Sequence, residues 1–119
     1  MKIEVKNSTK IQLDWLVAKC LGFNAEALVQ LAKKAPGKNY GCFLTKYSTD
    51  WSQGGPIIER EGISIIKQTA QRWVAEYSLG CDRTDHARVW GATPLIAAMR
   101  CFVVSKLGES VEVPNELLN

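Results

Sequence analysis

Histidine is almost missing from this chain. His86 is the only one, and none of the four cysteines (Cys20, Cys42, Cys81 and Cys101) forms a Cys-x-x-Cys pair. Tetrahedral zinc needs clustered Cys and His ligands, so no metal site is expected, and no cofactor motif stands in its place. His86 lies in a run with Cys81, Asp82, Arg83 and Asp85. A His–Asp pair could serve as base and orienter, but no serine or cysteine nucleophile has a motif pointing to it. Cys81 lacks an activating helix start, so the run reads as a solvated turn and no catalytic residue is assigned. The Gly-x-x-x-x-Gly-Lys-Ser/Thr spacing is also absent, which removes a phosphate loop.

Long apolar runs are missing too. The longest, from Pro94 to Val104, is broken by Arg100, whereas a spanning helix needs roughly 20 mostly apolar residues. Met1 to Lys6 alternates charged and apolar residues and so lacks the apolar core of a secretory signal. The expected location is the cytoplasm, where four free thiols are the default.

What is present fits one domain. The 119 residues, 46% hydrophobic and 23% charged, suffice for a single core. The net charge of +3 is uneven: residues 1–38 carry seven lysines against three acids. A basic N-terminal third could meet phosphate or an acidic partner, and a solvated lysine-rich helix face is the plainer reading.

Periodicity gives the elements. Residues 2–6 alternate as a short edge strand, and Asn7-Ser8-Thr9 offers a turn and a cap. A helix follows over 10–21, with Leu13, Leu16, Val17, Cys20 and Leu21 on one stripe, Asp14 and Lys19 off it, and Gly22 as the stop. Asn24 caps a second helix over 25–35, with Ala27, Leu28, Leu31 and Ala35 on one side, ended by Pro36-Gly37. Residues 39–44 read as extended and 46–55 as a polar, glycine-rich loop. Pro56 to Glu61 reads as a strand with its proline at the start. Ile63 to Lys67, Arg72 to Ser78 and Ala87 to Trp90 complete an antiparallel meander, with a turn over 79–85. The clearest element comes last: Thr93 as cap, Pro94 at the first position, and a helix to Leu107 stopped by Gly108. Only Arg100 is polar between Leu95 and Val104, so this helix needs cover on more than one side, from the helix over 10–21 or a partner subunit. Residues 109–113 are a short extended piece and 114–119 a tail with room for one helical turn. The expected fold class is α+β: a meander of three or four strands against a long C-terminal apolar helix and an N-terminal helix.

Three blocks carry a family resemblance. They are Leu13-Asp14-Trp15-Leu16-Val17-Ala18-Lys19-Cys20, the run from Asp50-Trp51 to Glu61, and Gly91-Ala92-Thr93-Pro94 continuing to Val113-Pro114. In this order they resemble the NinX-like proteins of lambdoid phages and prophages. The resemblance implies one NinX-like domain over 1–119, with 22–46 as a helical or loop insertion of variable length. Leu16 and Ile96 stand where the family pattern has a small residue and often Glu, changes expected to alter packing and leave the fold. The family carries no assigned activity, so the resemblance gives an origin and no mechanism.

The expected binding surface is Asp50, Trp51, Gln53, Gly54, Gly55, Glu59 and Arg60. The glycines would permit positive φ and close approach of backbone amides, with a carboxylate and an aromatic platform at the mouth. Alternatively Trp51 pins the loop to the core and Asp50 caps a turn. Phosphate contacts would come from Lys33, Lys34 and Lys38, joined by Lys10, Lys19 and Arg72 beside Trp73, although basic and aromatic residues are not interleaved in sequence. Trp15, Trp73 and Trp90 are expected in or near the core. Glu59, Glu61 and Glu76 could cluster on neighbouring strands, the one hint of metal-dependent nuclease chemistry. The leading reading is a non-enzymatic phage accessory protein that binds a host or phage protein, with a homodimer as an option and no membrane partner. A nucleic-acid binder and a small hydrolase or nuclease are the alternatives.

Overall fold

The computed structural model describes residues 1–33, 44–77 and 88–117. Several expectations therefore lie outside the described residues: the extended piece 39–43, the turn 79–85 with Cys81 and His86, Cys42, and the end of the second helix with Lys34 and Lys38. The architecture is α+β. Strand β1 (Lys2–Glu4) leads through a 3-10 turn (Val5–Asn7) into α1 (Lys10–Cys20) and α2 (Ala25–Lys33). Helix α3 (Trp51–Glu61), strands β2 (Ile63–Thr69), β3 (Arg72–Tyr77) and β4 (Val89–Gly91), helix α4 (Pro94–Leu107) and strand β5 (Ser110–Glu112) follow, then a 3-10 turn (Asn115–Leu117).

Helix starts are set by short polar side chains. At α1, Thr9 Oγ1 accepts from the Gln12 amide (3.3 Å) while Gln12 Oε1 accepts from the Thr9 amide (3.0 Å), so two orphan donors are satisfied reciprocally. At α4, Thr93 Oγ1 accepts from the Ile96 amide (3.1 Å), and Pro94 loses nothing where its amide would be free anyway. Left-handed glycines close α3 and follow α1: Gly62 has φ +70° and Gly22 φ +92°. Strand β1 ends at Glu4, two residues short of the expected edge strand, because Val5 turns inward to full burial.

Two sheets form. β1 and β5 pair antiparallel, with Ile3 opposite Val111. β2, β3 and β4 form the antiparallel meander, with Ile65 opposite Ala75 and Ala75 opposite Val89. Helix α4 crosses this meander and also touches α1 and α3. Leu95 to Met99 and Cys101 to Val103 are all buried, so one chain covers α4 along this stretch, leaving Leu107 at its end exposed. That removes the sequence-based reason for a partner subunit against it. Leu16 is buried and Ile96 nearly so, which places both departures from the family pattern inside the core.

Three expectations are corrected. Residues 51–61 are a helix, where a glycine-rich loop and then a strand are expected from Gly54-Gly55-Pro56. Asp14, expected off the buried stripe, is only 6% exposed, since its carboxylate satisfies a buried amide described below. Among the described side chains of α2, Ala25 and Val29 are buried and Leu28 half-buried, with Ala27 exposed. Trp15 Nε1 donates to the Ala25 carbonyl (2.9 Å), which fixes the roll of α2 against α1.

Candidate functional site

Residues 47–49 form a turn that delivers Asp50 to the N-cap of α3. Asp50 Oδ1 accepts from the Ser52 amide (3.0 Å) and the Ser52 hydroxyl (2.7 Å). The Ser52 side-chain and backbone hydrogen bonds hold this exposed carboxyl below its usual range. The seven-residue surface expected from sequence is therefore a capped helix, not a ring of loop amides.

Gly54 and Gly55 have helical backbone, since the positive-φ glycines of the described residues are Gly22, Gly62 and Gly108. Gly54 is needed for contact. A Cβ there would collide with the Tyr47 carbonyl oxygen and come within 2.6 Å of Leu95 Cδ1. Its absence lets α3 lie directly on the first turn of α4. Gly55 precedes Pro56, and without a Cβ it escapes the clash with the proline ring that opposes helix at such positions. A Cβ at Gly55 would meet Trp51 Cε3 at 3.9 Å, so the indole lies beside this bare stretch of backbone.

The structure brings together only part of the expected set. Asp50, Trp51 and Gln53 share the exposed first turn, while Glu59 and Arg60 lie at the other end, roughly 12 Å away along an axis rising 1.5 Å per residue. Arg60 Nε pairs with Glu61 (3.1 Å), and Lys106 of α4 reaches the other oxygen (3.5 Å). Burial alone would raise the Glu61 carboxyl, but these two cations outweigh it and hold it below its usual value. Arg60 and Glu61 thus join α3 to α4. Trp51 is 53% exposed, which overturns its alternative role as a core anchor. It borders a cleft of about 180 Å³ that Lys10, Ser48, Thr49, Thr93 and Ile96 also line.

Beneath the cleft floor, Asp14 Oδ1 accepts the Ser48 amide (2.8 Å). Burial pushes the Asp14 carboxyl above its ordinary value, against the hydrogen bonding from Ser48 and the charge of Lys46.

Of the expected phosphate contacts, Lys34 and Lys38 lie outside the described residues, and the described lysines of α1 do not form one patch. Lys10 and Lys19 stand at opposite ends of α1, and Lys19 lies over the Trp15 ring (5.3 Å) and near Glu26 (4.0 Å). Lys33 closes α2. Glu59 and Glu61 belong to a helix and Glu76 to β3, so the three carboxylates are not on neighbouring strands. Among the described residues, no three His, Cys, Asp or Glu side chains gather closely enough to hold a metal ion.

A second surface was not legible in sequence. Trp90, expected near the core, is 39% exposed, with the Arg72 guanidinium 5.0 Å and the Arg100 guanidinium 5.7 Å from its ring centroid. Arg72 thus faces Trp90, and Trp73 is matched instead by Lys67 (5.6 Å). Arg100 is fixed by donating to the carbonyls of Trp90 (3.1 Å) and Ser8 (2.9 Å). The positions 72, 90 and 100 share no spacing signal, because strand pairing joins the first two and the packing of α4 on the sheet brings in the third.

Fold and surfaces define a small α+β protein with two exposed tryptophans on rigid elements. The family model described as bacteriophage P22 NinX matches residues 7–106, and the chain belongs to that family. It is thus a phage accessory protein. No curated protein matches the chain in sequence. No helix of the described residues is long and apolar enough to cross a membrane.

Proposed function

We propose that this protein is a non-enzymatic binding module of the host cytoplasm whose partner is a host or phage protein. The observation that carries the reading is Trp51, held half-exposed on the first turn of α3 beside a cleft. Tryptophan on a rigid element loses little entropy when buried and dominates many protein interfaces. Gly54 supplies the rigidity by seating α3 on Leu95. A partner side chain entering the cleft would bury the indole, with Asp50 and Gln53 as polar rim.

The described thiols support a non-catalytic role. Burial pushes Cys20 up to about 11 and Cys101 up to about 12, so neither is a thiolate at neutral pH.

The surface is tested by purifying tagged wild type and Trp51→Ala from infected cells. Trp51 lies outside the buried core, so the expected result is a folded variant that loses a stoichiometric protein recovered by wild type. Equal recovery by both would remove Trp51 from the interface.

A further inference from the structure

We propose that the outer face of the β2–β3–β4 sheet binds single-stranded nucleic acid, at a site separate from the Trp51 surface. Ile63, Ala75 and Val89 are buried toward α4. Strand alternation then turns Ser64 and Ile66 of β2, Arg72, Val74 and Glu76 of β3, and Trp90 of β4 to the opposite side. Ile66, Val74 and Trp90 are direct cross-strand neighbours, with Ile66 47% and Trp90 39% exposed on either side of Val74, which they leave only 4% exposed.

Charge selects the occupant. Arg72 and Arg88 lie on or beside this face and Arg100 at its β4 edge, against one described acid, Glu76. Arg88 already offsets Glu76 at 3.9 Å. The remaining cations, Arg72 and Arg100, flank the indole itself. Unpaired bases stack on guanidinium planes as well as on aromatic rings. The exposed Arg72–Trp90 pair thus offers a stacking platform with a charge for the adjoining phosphate, and Arg100 holds the indole through its bond to the Trp90 carbonyl. A duplex keeps its base faces occupied and would use only the charges. An acidic protein would meet the same cations, and the poly-L-glutamate competition below separates it from nucleic acid. The aromatic and basic interleaving that the sequence lacks is thus assembled by strand pairing and by the packing of α4 on the sheet.

The test uses the full chain and a fluorescein-labelled oligothymidylate of about 12 nucleotides, within the span one small domain covers. Anisotropy should rise saturably at low salt, and log affinity should fall with log salt by roughly 0.7 per phosphate neutralised. Arg72→Glu and Trp90→Ala should each weaken binding by roughly tenfold or more. Lys2→Glu, the same charge change on β1, should leave it within about twofold, because screening confines such effects to roughly 10 Å. If circular dichroism shows Trp90→Ala unfolded, Trp90→Leu carries the stacking test. No saturable binding by wild type overturns the proposal, as does an Arg72→Glu effect no larger than that of Lys2→Glu. Displacement by poly-L-glutamate as effective as by unlabelled oligonucleotide, with Trp90 variants unaffected, overturns it in favour of an acidic protein ligand.

Discussion

Single side chains decide how closely the elements meet. Gly54 and Gly91 are both contact glycines: a Cβ at Gly91 would stand 2.6 Å from the Ala97 amide nitrogen and 3.0 Å from its Cα. Backbone cannot step aside as a side-chain tip can. Gly54→Ala and Gly91→Ala should each lose about 1–3 kcal/mol by overpacking, even though alanine is the better helix former at position 54. Urea melts would check this, and an unchanged midpoint for Gly54→Ala would contradict the close seat of α3 on α4. Asp14 gives a pH signature. Its folded-state pKa is raised by burial, so from its ordinary value of 3.8 upward the native state keeps a proton that the unfolded chain has released. Stability from this group is full below that value and is lost as pH rises through the raised pKa. Asp14→Asn keeps an acceptor for the Ser48 amide and should flatten that fall. Asp14→Ala leaves the amide unpaired in a buried site and should cost about 1–3 kcal/mol at every pH. Melts of the three proteins across pH separate these outcomes.

At the scale of elements, helix α3 is where sequence and structure part. Gly54-Gly55-Pro56 has an intrinsic cost of several kcal/mol in a helix, which is why a loop followed by a strand was the expectation. Packing reverses that. Ile57 is buried and Ile58 half-buried against the core, Gly54 trades propensity for contact, and Gly55 relieves the strain before Pro56. A helix signal was present in the sequence: Asp50 followed three residues later by Gln53 is the cap pattern, and Gly62 marks the stop. Where no breaker intervenes, as in α1, α4 and the meander, period and caps sufficed to place the elements. The candidate site was half legible. Asp50, Trp51 and Gln53 do share a surface, but the glycines turned out to serve packing and Arg60 a link to Lys106's partner Glu61. Pro56→Ala tests the helix directly. It should add about 1–3 kcal/mol by restoring a donor and removing a ring clash, whereas in a loop the same change would lower stability through the unfolded state.

For the whole molecule, α4 is buried within one chain from Leu95 to Met99 and from Cys101 to Val103, so its apolar sequence alone gives no reason to require a second copy. Its surfaces, not its core, are what a partner would meet. The burial of Cys101 should also be visible as chemistry. With its thiol pushed up to about 12, Cys101 should resist alkylation at neutral pH until the chain unfolds, and peptide mapping by mass spectrometry reads this out. A protein partner should be recovered by affinity purification from infected host cells, run with and without nuclease. The expected result is a stoichiometric protein that remains after nuclease treatment. Recovery of no such protein, or of proteins that all vanish with the nuclease, would contradict it.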